Sequence, residues 1–269
     1  MTWKAIVHSA MGTRHEQRGQ PCQDYGNYRI EGAYLLGAVA DGAGSAKRAE
    51  VGAKIAVESA LEAIAQELTR SFSIPLHGPT VPSYEEIEAI APALFTTVFE
   101  EVLTALHREA HEQDHDLRDL GCTLLVLLAT PDWVAAMQIG DGFIVLRSGE
   151  AESYQLLFEP DKGEFINETV FVTTEGAIDY MDVGVQPCKS PFLCAATDGL
   201  ERVAIRLQDW EPFTPFFKPF EACLTQLPDQ QDRQDYLKTF LESERLNSKT
   251  DDDKTMLACL YDRDKQEGL

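Results

Sequence analysis

The stretch GCTLLVLLATPDWVAAMQIGDGFIVLR, Gly121 to Arg147, decides how this chain folds. Gly121–Ala129, Trp133–Ile139 and Phe143–Arg147 read as consecutive strands, with turns at Pro131-Asp132 and Gly140-Asp141-Gly142. Upstream, Trp3 to Ala10 and Tyr34 to Ala40 also read as strands, separated by a Gly12–Asp24 loop and a short extended piece. Between these groups the pattern changes. From Arg48 to Leu68, Val51, Ile55, Leu61, Ile64 and Leu68 recur at near-helical spacing, with Glu50, Lys54, Glu58 and Glu62 interleaved. Residues 71–83 carry Pro75, Gly78, Pro79 and Pro82 and form a loop, and a second long helix runs from about Tyr84 to His115, disturbed at Pro92. Further strands are expected at Tyr154–Phe158, Val170–Thr173, Met181–Val185, Phe192–Ala196 and Thr255–Tyr261. Helices are expected at Phe213–Leu227 and Gln231–Glu244. Two central helices between groups of strands point to antiparallel sheets covered by helices, not a βαβ repeat. No repeat or interdomain linker interrupts residues 1–269, so a single domain is expected.

Five aspartates follow apolar stretches at sharp turns: Gln23-Asp24, Val39-Ala40-Asp41-Gly42, Gly140-Asp141-Gly142, Ala196-Thr197-Asp198-Gly199 and Asp252-Asp253-Lys254-Thr255. Glycine after the acid lets a strand end and a ligand approach the backbone. Acids gathered from distant strand ends make poor core residues but good ligands for hard cations such as Mg²⁺ and Mn²⁺. A polynuclear Mg²⁺/Mn²⁺ site is the first hypothesis.

Composition narrows the partners. The chain has 45 acids and 23 bases, a formal charge of −22. A field of that sign repels nucleic acid and anionic membrane surfaces. The N-terminal Met1 to Val7 is too short and too soon interrupted for a signal peptide. The longest apolar run, Cys122 to Ala129, is too short for a bilayer. The six cysteines form no CxxC pair, and Cys122, Cys194 and Cys259 read as reduced core residues, so the cytoplasm is the expected compartment.

Taken in order, the acidic motifs form a series: Gln-Asp, apolar-Asp-Gly-x-Gly, Gly-x-Thr, Gly-Asp, Thr-Asp-Gly-Leu and Asp-Asp-x-Thr. This series, from about Ile6 to Tyr261, resembles the metal-dependent protein phosphatase (PP2C) family and its compact bacterial branch. One Asp-Gly is a common turn dipeptide; the ordered set is specific. The resemblance implies an α+β fold, a four-layer αββα sandwich of two antiparallel sheets flanked by helices, with a binuclear metal centre at one end. It implies that Asp41 bridges two Mn²⁺ or Mg²⁺ ions, that the Gly42 carbonyl binds one, and that Asp198 and Asp252 complete a shell. Asp24 lies near the second ion, and Asp141 matches an acid used for a third, weaker one. Gly121-Cys122-Thr123 is expected to be structural. The implied activity is hydrolysis of phosphoserine and phosphothreonine in proteins, opposing a Ser/Thr kinase in signalling. Two cations about 3.5–4 Å apart lower the pKa of a bridging water that attacks phosphorus in line.

Departures leave alternatives open. Relatives carry a phosphate-binding arginine five residues before the Asp24 position, where this chain has Gly19. Arg18 is the expected substitute, with Arg14 and His15 in the same loop, and Lys47 or Arg48 as further bases; Asp253 stands where relatives often carry Asn and adds negative charge that would tighten metal binding. His15 or a metal-bound water would protonate the leaving group. The missing arginine motivates a second reading, a catalytically weak phosphoprotein-binding or regulatory module. A third comes from His111-Glu112-Gln113-Asp114-His115, which matches the zinc peptidase pattern HExxH in polar surroundings. Trp210, Phe213, Phe216, Phe217 and Phe220 read as helix and loop packing ahead of a docking patch. The 71–83 loop and the 159–191 region are expected to shape access to the site.

Overall fold

The computed structural model describes residues 2–70, 73–74, 81–149, 151, 153–159, 169–189 and 191–262. One sheet collects β1 (Thr2–Ala10), β12 (Lys254–Asp262), β9 (Phe192–Ala196), β6 (Phe143–Arg147) and β7 (Gln155–Leu156) in that spatial order. The other collects β2 (Tyr25–Glu31), β3 (Tyr34–Ala40), β4 (Leu124–Ala129), β5 (Trp133–Ile139) and β8 (Asp182–Pro187). Every pairing in both sheets is antiparallel.

Strand periodicity divides the core into three. Along β4, Leu124, Val126 and Leu128 join the cluster under α2 (Ala49–Arg70) and α3 (Tyr84–Glu112). The alternate residues Leu125, Leu127 and Ala129 face the opposing sheet. Along β12, Leu257 and Cys259 enter that same inter-sheet layer, while Met256, Ala258 and Leu260 face outward. There they meet α5 (Thr214–Gln226) and α6 (Gln230–Leu241). Successive side chains of a strand point to opposite faces, so a strand buried on both faces must be apolar throughout. That is why Leu124–Ala129 shows no alternation. The four-layer αββα sandwich is the observed architecture. Truncating an inter-sheet leucine such as Leu127 would cost about 2–5 kcal/mol.

α2 follows its apolar spacing closely. α3 opens on a capping box, in which Ser83 accepts the Glu86 N–H and Glu86 accepts the Ser83 N–H. Pro92 sits inside α3 without ending it. α3 is long and apolar enough to cross a membrane by composition; here Ile87, Leu94, Phe95, Val98, Val102 and Leu106 are buried in the core. The six cysteines are free, and Cys122, Cys194 and Cys259 are buried as expected.

Several sequence expectations are corrected. The Gly12–Asp24 loop contains a helix, α1 (Thr13–Arg18), closed by Gly19 in the left-handed region. Val170–Thr173 is not a strand: Phe171 and Thr174 close a turn on each other, and a single bond from Val172 N–H to the Cys122 carbonyl ties it to the sheet. Within Tyr154–Phe158 only Gln155–Leu156 forms a strand, and Leu157 N–H adds a bond to the Ile144 carbonyl. The Gln231–Glu244 helix breaks into α6 and α7 (Glu244–Asn247), because the Ser243 side chain caps a new start. A short hairpin, β10 (Ile205–Arg206) and β11 (Glu211–Pro212), follows α4 (Glu201–Ala204). Residues 71–72, 75–80, 160–168 and 190, within the two segments expected to shape access, lie outside the described residues.

Candidate metal centre

The acids gather at one end of the sandwich because each closes or opens a strand there. Asp24 precedes β2, Asp41 follows β3, Asp198 follows β9, and Asp252 and Asp253 precede β12. Hydrogen bonds hold these strand ends in register. Asp41 N–H donates to Thr123 Oγ1 at 2.9 Å, and Thr123 N–H returns a bond to the Asp41 carbonyl at 2.8 Å. Thr123 of the Gly-x-Thr motif is therefore a clamp on the Asp41 backbone. Gly140 sits at φ +99, and a Cβ there would lie 2.4 Å from Thr123 Cγ2, so glycine is required where the β5–β6 turn passes that clamp. On the other sheet, Thr197 Oγ1 accepts the Thr255 N–H at 2.9 Å and donates to Asp24 Oδ2 at 2.7 Å. One hydroxyl thus joins three strand ends from both sheets. Gly199 packs against the Asp253 carbonyl, where a Cβ would stand 1.9 Å from the oxygen.

The electrostatics are unfavourable without a counter-charge. Burial pushes the Asp24 carboxyl up to about 7, with Asp253 and Asp198 adding to the rise and the Thr197 hydroxyl opposing it. Burial, then the charges of Asp24 and Asp198, holds Asp41 well above the usual carboxylate range. Asp198 is raised by burial and by Asp141. Asp24 Oδ1 and Asp198 Oδ1 are buried without a hydrogen-bond partner. Buried carboxylates that repel one another and keep free lone pairs fit a hard cation. The acids converge pairwise, with Asp41 in reach of Asp24 and of Asp198. Among the described residues no three His, Cys, Asp or Glu side chains are already drawn together as a closed ligand set. Asp252 is engaged elsewhere, and Asp141 accepts a bond from Thr169 Oγ1 at 2.6 Å. The unpartnered oxygens of Asp24 and Asp198 suit a hard cation in chemistry, while the described residues form no group of three that would hold one as they stand.

Three residues near the acids, Arg14 of the Gly12–Asp24 segment, Asp253 of the Asp-Asp-x-Thr motif and Lys254 after it, have partners that only the tertiary structure sets. Arg14 Nη2 donates to both oxygens of Asp252, at 2.8 and 2.9 Å, and Arg14 Nε is buried with no partner. Asp253 is a buried hub. Its Oδ1 accepts the Gly12 N–H at 2.6 Å, and its Oδ2 accepts the Gln23 N–H at 2.6 Å and lies 2.8 Å from His15 Nδ1. Lys254 is fully buried; desolvation lowers its pKa while Asp253 and Asp24 oppose that, and its ammonium donates to the Asp252 carbonyl at 3.1 Å. No local pattern marks these roles, since each depends on segments more than 200 residues apart in sequence or on burial under the site.

The other expected residues are distributed differently. Arg18 is exposed at the end of α1, and His15 is buried against Asp253, turned to the loop's interior. Lys47 is exposed beside Asp119. The HExxH stretch is not a helical face: α3 stops at Glu112, Asp114 takes φ +54, and His111 is exposed. Two histidines four apart share a face only on a continuous helix, so the zinc peptidase reading is set aside.

Fold and acid cluster together define a class. The chain belongs to the Protein phosphatase 2C family, which it matches over residues 11–242. It is 32% identical over 268 residues to Serine/threonine-protein phosphatase 3 of Escherichia coli (strain K12), spanning 97% of this chain and 99% of that protein. The Mycobacterium tuberculosis serine/threonine phosphatase PstP/Ppp shares the fold with a TM-score of 0.61 at 15% identity, over 98% of this chain and 100% of that one. Stp1 from Staphylococcus aureus does so with a TM-score of 0.60 at 14% identity, over 97% and 96%. RsbX, solved in complex with magnesium, shares it at a TM-score of 0.51 and 14% identity.

Proposed function

We propose that this protein hydrolyses phosphoserine and phosphothreonine in cytoplasmic signalling proteins, opposing a Ser/Thr kinase, with two Mn²⁺ or Mg²⁺ ions and a third, weaker one. The observation that carries the reading is the burial of Asp24, Asp41 and Asp198 within reach of one another, with Asp24 Oδ1 and Asp198 Oδ1 unpartnered. Asp41, the Gly42 carbonyl, Asp198 and Asp252 would hold the two principal cations, with Asp24 supporting the second and Asp141 the third. Cations held there supply an acidified water as nucleophile and positive charge for the phosphoryl oxygens.

The chain's own residues do the remaining work. Thr123 and Thr197 hold the acids against their mutual repulsion. Asp253 ties the Gly12–Asp24 segment to the Asp252 turn, so that α1 is carried to the rim. Arg14, half-exposed and adjacent to Asp252, is the base we assign to the substrate phosphate in place of Arg18. His15 is a positioning residue, because its ring is committed to Asp253. An arginine at the rim supports turnover over the weak regulatory reading.

The test is phosphate release from a phosphothreonine peptide by metal-stripped protein, titrated with Mn²⁺, for wild type and Asp198→Asn. Mn²⁺-dependent release that collapses in the variant is expected. Well-folded wild type that binds Mn²⁺ without releasing phosphate would return the chain to the regulatory reading.

A further inference from the structure

The aromatic run at 210–220 separates into two populations. Phe216, Phe217 and Phe220 are buried among one another and against α6, where Phe216 and Phe220 meet Phe240 edge to face at ring distances of 5.7 and 5.0 Å. Phe213 is 43% exposed, and so, nearby, is Leu207 at 44%. Both line a groove of about 1360 Å³ that runs between α4 and the β10–β11 hairpin, α5, α6 and α7. Its floor is aromatic and aliphatic. Large apolar side chains left open beside a formed concavity mark an interaction site more often than scattered surface residues do.

The groove walls differ in charge. α6 contributes Asp232 and Asp235, whereas α4, β10, α7 and the residues just after it form a wall that carries Arg202, Arg206, Arg245 and Lys249. Arg206 is already neutralised by Asp209 and Glu211. Arg245 and Lys249 are exposed, with no ion pair among the described residues. In a chain with 45 acids and 23 bases, Arg202, Arg245 and Lys249 together are a local concentration of positive charge. Screening confines each charge to about 8–10 Å in physiological salt, so an acidic partner at that wall is not rejected by the distant acids.

One lining residue of the groove follows the acid cluster closely in sequence. Arg202 stands four positions after Asp198, so their Cα atoms lie within about 15 Å. We propose that this groove docks an amphipathic segment of the phosphoprotein substrate, with Leu or Phe side chains seated on the aromatic floor and Asp or Glu side chains against the basic wall. The segment flanks the phosphosite by a short stretch of extended chain. Identification of the partner as a phosphoprotein rests on the phosphatase reading; the affinity of the groove for such a segment does not.

The experiment uses the full chain and two fluorescein-labelled, phosphate-free peptides. One carries Leu and Phe on one helical face with Glu on the other; the second replaces each Glu by Lys. Binding is followed by anisotropy in metal-free buffer. The Glu peptide is expected to bind, and Arg245→Glu with Lys249→Glu to weaken it about tenfold. Phe213→Ser, at an exposed position, is expected to weaken it as well. Equal binding of both peptides, or no response to either variant, overturns the proposal. So does a wild-type dimer in sedimentation that the charge reversals dissociate, since a second copy would then be the occupant.

A kinetic arm separates this outcome from failure of the phosphatase reading. The Glu peptide, joined to a phosphothreonine site, is expected to show KM raised about tenfold in the double variant with kcat unchanged, while the bare phosphosite peptide is unaffected. Turnover of both peptides with no effect of the tail sinks docking alone. Tail binding without any turnover sinks the phosphatase reading alone.

Discussion

Arg14 holds both oxygens of Asp252 through one guanidinium nitrogen, at 2.8 and 2.9 Å, across 238 residues of sequence. The proposed metal ligand Asp252 and the base assigned to the substrate are thus one ion pair, and a cation on Asp252 would compete with Arg14 for the same oxygens. Removing the arginine should act in opposite directions in two assays. In Arg14→Ala, Mn²⁺ affinity measured by calorimetry is expected to rise, while kcat/KM on a phosphothreonine peptide falls about a hundredfold. Arg18→Ala should leave both unchanged. A loss of activity in Arg18→Ala with Arg14→Ala unaffected would reverse the assignment.

The buried acids make stability depend on pH with a defined sign. Asp24 is raised to about 7 in the folded chain, above its ordinary value. Between about pH 4 and 7 the metal-stripped folded protein therefore keeps a proton that the unfolded chain has lost, and stability falls as pH rises through that window. Saturating Mn²⁺ favours the ionised acids and should turn the slope upward. Melting temperatures at intervals from pH 5 to 8, with and without Mn²⁺, would check this. Asp24→Asn should flatten the metal-free profile, and an unchanged profile would count against a carboxyl raised by burial at this position.

Asp253 works only as a carboxylate, since Oδ1 and Oδ2 each accept a backbone N–H at 2.6 Å. In Asp253→Asn one acceptor becomes an amide facing an N–H donor. The expected cost is about 2–3 kcal/mol in urea unfolding, with looser attachment of α1 and weaker phosphopeptide turnover. Stability and turnover equal to wild type would show that the hub tolerates a neutral amide.

His111 tests the reading that the fold displaced. It is exposed near the end of α3, away from any ligand set among the described residues. His111→Ala is expected to change neither phosphopeptide turnover nor stability beyond about 0.5 kcal/mol. Loss of a peptidase activity in this variant would revive the zinc reading.

The sequence by itself determined the strands that cross the core and the acids at their ends. Burial on both faces imposes continuous apolar runs such as Leu124–Ala129, and a turn beside a ligand imposes Asp-Gly, so both are written locally. Val170–Thr173 looked like a strand because an apolar pair next to threonines suits either state, and only the turn closed by Thr174 resolves it. The HExxH pattern looked helical because spacing is all a motif records, while the left-handed Asp114 ends that geometry. What tertiary structure alone decided is who faces whom. Arg14, not Arg18, meets Asp252; His15 turns inward to Asp253; Phe213 stays open while Phe216 and Phe220 are covered. These pairings join segments far apart in sequence, and hydrogen bonds and burial between such segments leave no periodicity or spacing for a linear reading to detect.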